Sequence, residues 1–170
     1  VIELELIGVR VELPANQPIV LLREKTGPRY LPIWIGAPEA TAIAFALQGV
    51  ETPRPLTHDL FVDVLESLGA TLEAVHVTHL DEGTFYAELH LLVGEDRTVV
   101  SARPSDAIAL ASRMADVPIL GAPDVLDSAG LEIDEDGDED SGDGPPPEEE
   151  LRQFREFLDN VSPDDFDFSG

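Results

Sequence analysis

Two short clusters of polar residues carry the chemistry this sequence can offer. The first is Arg54, Thr57, His58 and Asp59, in the run Thr52-Pro53-Arg54-Pro55-Leu56-Thr57-His58-Asp59-Leu60. A histidine beside an aspartate supplies an acid/base group next to a metal-binding carboxylate, and a nearby arginine can clamp a phosphate. Hydrolysis of a phosphodiester needs those parts. The second cluster is Arg103, Ser105 and Asp106, an arginine and a carboxylate at a helix start, where free N–H groups favour an anion. Glu39 stands at nearly the same point of an earlier helix and could complete a paired-carboxylate site for Mg²⁺ or Mn²⁺ with Asp59 or Asp106. Each residue also has a plainer use. Thr57, His58 and Asp59 can simply cap a helix while Arg54 pairs with a local acid, and Asp106 and Glu39 suit the first turn of any helix.

Other chemistries lack their residues. There is no cysteine, hence no disulfide framework and no cysteine-ligated metal. Neither a phosphate-binding P-loop, a GxGxxG, an HExxH nor a GxSxG occurs. His76, His79 and His90 read as strand or turn residues, since a hard, oxygen-ligated ion would not need them. Tyr86 could stack on a base, although an aromatic in a strand more commonly packs on the sheet.

The elements that must position these residues repeat. Thr98 to Ala102 reads as a strand running into Arg103-Pro104-Ser105-Asp106-Ala107-Ile108-Ala109-Leu110-Ala111, a helix opened by Pro104 and expected to run to about Ala115. An offset of 65 residues places Ala42-Ile43-Ala44 on Ala107-Ile108-Ala109, and Leu60 and Phe61 on Val125 and Leu126. Alternating strands are expected over Ile2–Leu13, Ile19–Arg23 and Tyr30–Ile35. A helix over Glu39–Gln48, stopped by Gly49, and a second from an N-cap at Thr57 to about Leu68 follow them. The second half repeats the order with strands at Leu72–Thr78, Thr84–Val93 and Arg97–Ser101. Then come the Pro104 helix, an extended piece at Val117–Leu120 and a short helix at Pro123–Ala129. The fold class is therefore α+β, two duplicated β-β-β-α-α units (about 1–65 and 66–130) in one domain.

From residue 131 to 147 the chain is nearly all Asp, Glu, Gly, Ser and Pro, a composition that cannot offset its ordering entropy and is expected to be a disordered linker. Beyond it, over 148–170, Leu151, Phe154, Phe157, Leu158 and Val161 form the stripe of a short amphipathic helix that should dock on its own domain or on a protein partner. The net charge is −25, of which residues 131–170 hold −14 and residues 1–130 hold −11. A domain of that charge repels nucleic acid over most of its surface, so any nucleic-acid role must use a local arginine patch or a bound cation. No apolar run spans a bilayer, and the expected location is the cytoplasm with no membrane contact.

The sequence resembles the bifunctional nuclease domain family. The resemblance is carried by Leu31-Pro32-Ile33-Trp34-Ile35-Gly36 with Glu39-Ala40, by Arg54-Pro55-Leu56-Thr57-His58-Asp59-Leu60, by Gly83-Thr84-Phe85-Tyr86-Ala87 and by Ala102 to Ala111, in the family's order. Phe154-Arg155-Glu156-Phe157-Leu158, with Ser162-Pro163 and Phe166, is similar to the C-terminal end of bacterial members. The resemblance implies a homo-oligomer and a nuclease that cuts DNA and RNA with little sequence preference. No settled catalytic set comes with it. The polar residues of its motifs, Arg54, His58, Asp59, Arg103 and Asp106, are therefore the catalytic candidates on chemistry, with Asp59, Asp106 and Glu39 for the metal.

Two hypotheses stand. A metal-assisted nuclease requires these side chains to converge in one pocket. A non-catalytic binding or regulatory module would use them as helix caps and subunit contacts, with His58 and Asp59 buried, hydrogen-bonded and without an open cleft beside them.

Overall fold

In the computed structural model of the chain, which describes residues 1–132, apolar alternation sorts the strands into one eight-stranded sheet. In chain order the elements are β1 (Ile2–Glu12), β2 (Gln17–Glu24), β3 (Arg29–Trp34), α1 (Ala37–Gln48), α2 (Thr57–Ser67), β4 (Ala70–Asp81), β5 (Thr84–Val93), β6 (Asp96–Ala102), α3 (Pro104–Ala111), β7 (Ile119–Gly121), α4 (Pro123–Ala129) and β8 (Leu131–Glu132). Spatial order is β6-β5-β4-β7-β1-β2-β3-β8. Two antiparallel meanders, β1-β2-β3 and β4-β5-β6, thus run outward from β7, which pairs antiparallel with β1 and parallel with β4. The α+β class expected from the sequence is the class observed.

Val20, Leu22, Leu31, Ile33, Val75, Val77, Leu89 and their alternating neighbours point to one face. There they meet Ile43 of α1, Leu65 of α2, Ala107–Ala111 of α3 and Val125 and Leu126 of α4 in a single core. Each fully buried Leu or Ile in it contributes about 1.5–3 kcal/mol by removal from water. Helix α3 is the innermost. Its small residues let it lie against β4 and β5, and everything from Ala107 to Ala111 is buried.

Several boundaries differ from the sequence expectation, three of them with a cause visible in the hydrogen bonding. Helix α3 ends at Ala111 rather than near Ala115: past it the Arg113 and Met114 N–H groups bond to Leu110 O (3.0 Å) and Ala111 O (3.3 Å), tightening the last turn, while Ala109 O accepts from Arg113 Nη1 (2.8 Å). Helix α2 starts one residue early, its N-cap being Leu56 rather than Thr57, since the Leu56 N–H is satisfied by Asp59 Oδ2 at 2.9 Å. Leu131 and Glu132, assigned above to the acidic segment, pair with β3. The rest of that segment and the C-terminal helix lie outside the described residues.

Candidate functional site

All the candidate residues except Arg54 sit at the starts of three helices. Extended backbone at Gly36, Leu56 and Arg103 feeds α1, α2 and α3, and Pro38 and Pro104 stand where a missing N–H costs nothing. Gly36 matters by its absence of a side chain: a Cβ there would lie 2.2 Å from Glu39 Oε2, so glycine makes room for the Glu39 carboxylate.

Four of the candidates join in one chain of contacts. His58 Nε2 lies 3.1 Å from Asp106 Oδ1, bridging α2 to α3 across 48 residues of sequence. Arg103 grips the same carboxylate with two N–H groups, Nε to Oδ2 at 2.7 Å and Nη2 to Oδ1 at 3.0 Å. Its remaining nitrogen, Nη1, reaches Glu39 Oε1 at 2.9 Å. The Arg103 side chain is 65% exposed and Asp106 30%, while His58 and Glu39 are more enclosed at 17% and 15%. Burial pushes the Asp106 carboxyl up, but Arg103 and His58 together outweigh it and hold it below the usual carboxylate range.

Asp59 turns the other way. Besides accepting the Leu56 N–H, it accepts from Arg113 Nε at 2.6 Å, and these bonds hold its carboxyl below the ordinary range against the upward push of burial. Arg113, only 9% exposed, was not singled out from the sequence, where nothing distinguishes it from a surface arginine. A cleft of about 240 Å³ opens beside this pair, with Phe45, Val50 and Leu56 among its walls. Arg54 lies in the exposed loop before α2, its carbonyl accepting from Thr52 Oγ1 at 2.6 Å, and among the described residues its guanidinium has no ion-pair partner.

His58, Asp106, Arg103 and Glu39 therefore form one network, and Asp59 a neighbouring one with Arg113. Among the described residues, Glu39, Asp59 and Asp106 do not gather as a three-ligand group. The one group that does is His76, Glu88 and His90, on the sheet face opposite the core. Alternation in β5 places Glu88 and His90 on one face, but the register that sets His76 against Glu88 was not readable from the sequence.

The architecture defines an α+β domain whose polar centre lies where three helix N-termini converge. The chain belongs to the bifunctional nuclease domain family, whose profile matches residues 20–134. Two Mycobacterium tuberculosis proteins, from strains CDC 1551 and H37Rv and both described only as uncharacterised, are each 53% identical over 165 residues, covering 96% of this chain and 97% of theirs. Bifunctional nuclease 1 of Oryza sativa is 29% identical over 107 residues, which span 61% of this chain and 32% of the rice protein. Among the described residues no helix is long and apolar enough to cross a membrane.

Proposed function

We propose that this domain hydrolyses phosphodiester bonds in DNA and RNA, with little sequence preference, at the surface where α1, α2 and α3 begin. The contact that carries this reading is His58 Nε2 to Asp106 Oδ1 at 3.1 Å, with Arg103 on the same carboxylate. With its proton on Nε2, His58 donates to Asp106 and keeps Nδ1 free to accept a proton from water. Arg103, exposed and already holding two acids, exchanges them for a phosphate, and Arg54 offers a second guanidinium from the loop before α2. The oxygens of Asp106 and Glu39 suit a hard ion, Mg²⁺ or Mn²⁺, which when bound would polarise the phosphate. Arg103 bridges those two carboxylates, so its move to a phosphate would free them to hold the ion. Asp59 is a third oxygen donor and would first have to exchange Arg113.

The test is cleavage of single- and double-stranded DNA and RNA by purified protein with Mg²⁺, Mn²⁺ or EDTA, beside His58→Ala and Asp106→Asn variants shown to fold. Metal-dependent cutting that falls about 10²- to 10⁴-fold in both variants is the expected result. Equal cutting by the variants would place the chemistry elsewhere, and no cutting by any form would remove it.

A second reading, a non-catalytic binding module acting as a homo-oligomer, is favoured by two observations. Glu39, Asp59 and Asp106 are each already paired to a guanidinium. Helix α2 also exposes Leu60, Phe61, Val64 and, just past its end, Leu68, a stripe that a second copy could cover.

A further inference from the structure

The face of the sheet that carries no helices holds a group of side chains which the phosphodiester reading leaves unused. Val75 and Val77 of β4 and Ala87, Leu89 and Leu91 of β5 point into the core, so His76, Glu88 and His90 point away from it. Register sets His76 directly opposite Glu88, and Ala74, with only a methyl group, opposite His90. A ring nitrogen from each histidine and a carboxylate oxygen of Glu88 lie within 4.8 Å of one another.

Hydrogen bonding does not account for the group. His76 Nε2 and His90 Nε2 are both shielded from solvent and have no hydrogen-bond partner. His90 Nε2 comes within 3.3 Å of Glu88 Oε2 but is not aligned to donate to it. Buried polar atoms without partners are uncommon in folded proteins, and a cation held between two imidazole nitrogens and a carboxylate would satisfy all three. The spacing agrees. A tetrahedral ion with ligand bonds of about 2.0–2.1 Å holds its ligand atoms roughly 3.3–3.4 Å apart, the separation His90 and Glu88 already have. His76 places a ring nitrogen within 4.8 Å of both.

We propose that His76, Glu88 and His90 bind one divalent transition-metal ion of the zinc class, with solvent completing its coordination. Two imidazoles and a carboxylate suit Zn²⁺, Co²⁺ or Ni²⁺ and discriminate against Mg²⁺, which requires oxygen ligands and near-octahedral geometry. The ligands come from two adjacent strands, so the ion ties β4 to β5 on their unprotected side. Half-exposed Glu88 and His90 leave it an open position toward solvent. This site is separate from the centre at the helix starts and independent of its activity.

The experiment is titration of the metal-stripped full-length chain with Zn²⁺ and Co²⁺ by calorimetry and by the visible spectrum of Co²⁺. Excess Mg²⁺ is kept present to occupy the acidic residues of 131–170. One ion per chain, a Co²⁺ spectrum with nitrogen ligation and a higher melting temperature with Zn²⁺ are expected. Affinity should fall more than about 100-fold in His76→Ala and in His90→Ala, beyond the 10- to 100-fold typical of outer-sphere changes, and should hold in His79→Ala. If a variant fails to fold, the wild-type imidazole resonances, read by NMR, still decide: those of His76 and His90 must shift with Zn²⁺. Binding that survives the two substitutions, or Zn²⁺ titration that leaves both rings unmoved, would overturn the proposal.

Discussion

Replacing Asp59 by alanine removes two hydrogen bonds that do different work. Asp59 Oδ2 satisfies the Leu56 N–H at the start of α2, and losing a capping contact of this kind costs about 1 kcal/mol. Asp59 Oδ1 accepts from Arg113 Nε, and Arg113 is only 9% exposed, with Ala109 O as its other partner. Leaving that guanidinium short of a partner costs about 1.5–3 kcal/mol more, so the variant should lose about 3 kcal/mol. Urea denaturation followed by circular dichroism reads this as a lower midpoint with an unchanged slope. A double-mutant cycle with Arg113→Met isolates the pair, and a coupling of about 1–2 kcal/mol is expected. Additive single effects, with coupling near zero, would refute the view that Asp59 and Arg113 hold α2 against α3.

Four further outcomes follow. Ile108→Ala, at a fully buried position in α3, should cost about 2–5 kcal/mol in the same denaturation assay. Glu24, held by Arg29, and Asp59 and Asp106, held by their own partners, all have carboxyls below their unfolded values. Their stabilisation is therefore complete above the unfolded pKa near 4 and is lost as pH falls through the lower folded values, so the urea midpoint should hold from pH ~7 to ~5 and drop below ~4. Gly36→Ala is compatible with its backbone φ of −75° but drives the new Cβ into Glu39 Oε2, so the fold should persist while cleavage, measured under the conditions above, falls about 10²-fold. Phe61→Asp places a charge in the exposed stripe of α2 and should shift sedimentation toward monomer without lowering the melting temperature.

Local signals made much of the fold legible. Gly49 adopts φ 63° and closes α1 as expected, the prolines at 38 and 104 mark helix starts, and period-two alternation located the long strands. Long-range geometry was not legible. Nothing in β7, three residues long, says that it separates the two meanders, because pairing partners leave no trace in a short apolar run. Asp59 and Asp106 look equivalent as first-turn acids, yet one meets Arg113 and the other His58 and Arg103, a difference set by the packing of α2 on α3. The His76–Glu88 pairing was hidden for the same reason, compounded by bulges near Glu73 and Thr78 that break simple alternation along β4.

Charge constrains how this domain could hold nucleic acid. Residues 1–130 carry eight basic side chains, and six of them, Arg23, Lys25, Arg29, Arg97, Arg103 and Arg113, are engaged with carboxylates. Arg10 and Arg54 have no ion-pair partner among the described residues, and Arg97 and Arg103, with side chains 76% and 65% exposed, are open enough to change partners. The described residues of one copy can therefore neutralise about four phosphates, giving a log–log salt slope near −3.6 and roughly 150-fold weakening between 50 and 200 mM salt. Proteins with six to ten phosphate contacts lose about 10³- to 10⁵-fold over that range. Tight binding would then require either divalent ions at Asp106 and Glu39 or a second copy presenting its own Arg54 and Arg103. The two routes separate experimentally: the first makes affinity depend on Mg²⁺ at constant ionic strength, and the second steepens the salt slope with protein concentration and is lost in Phe61→Asp.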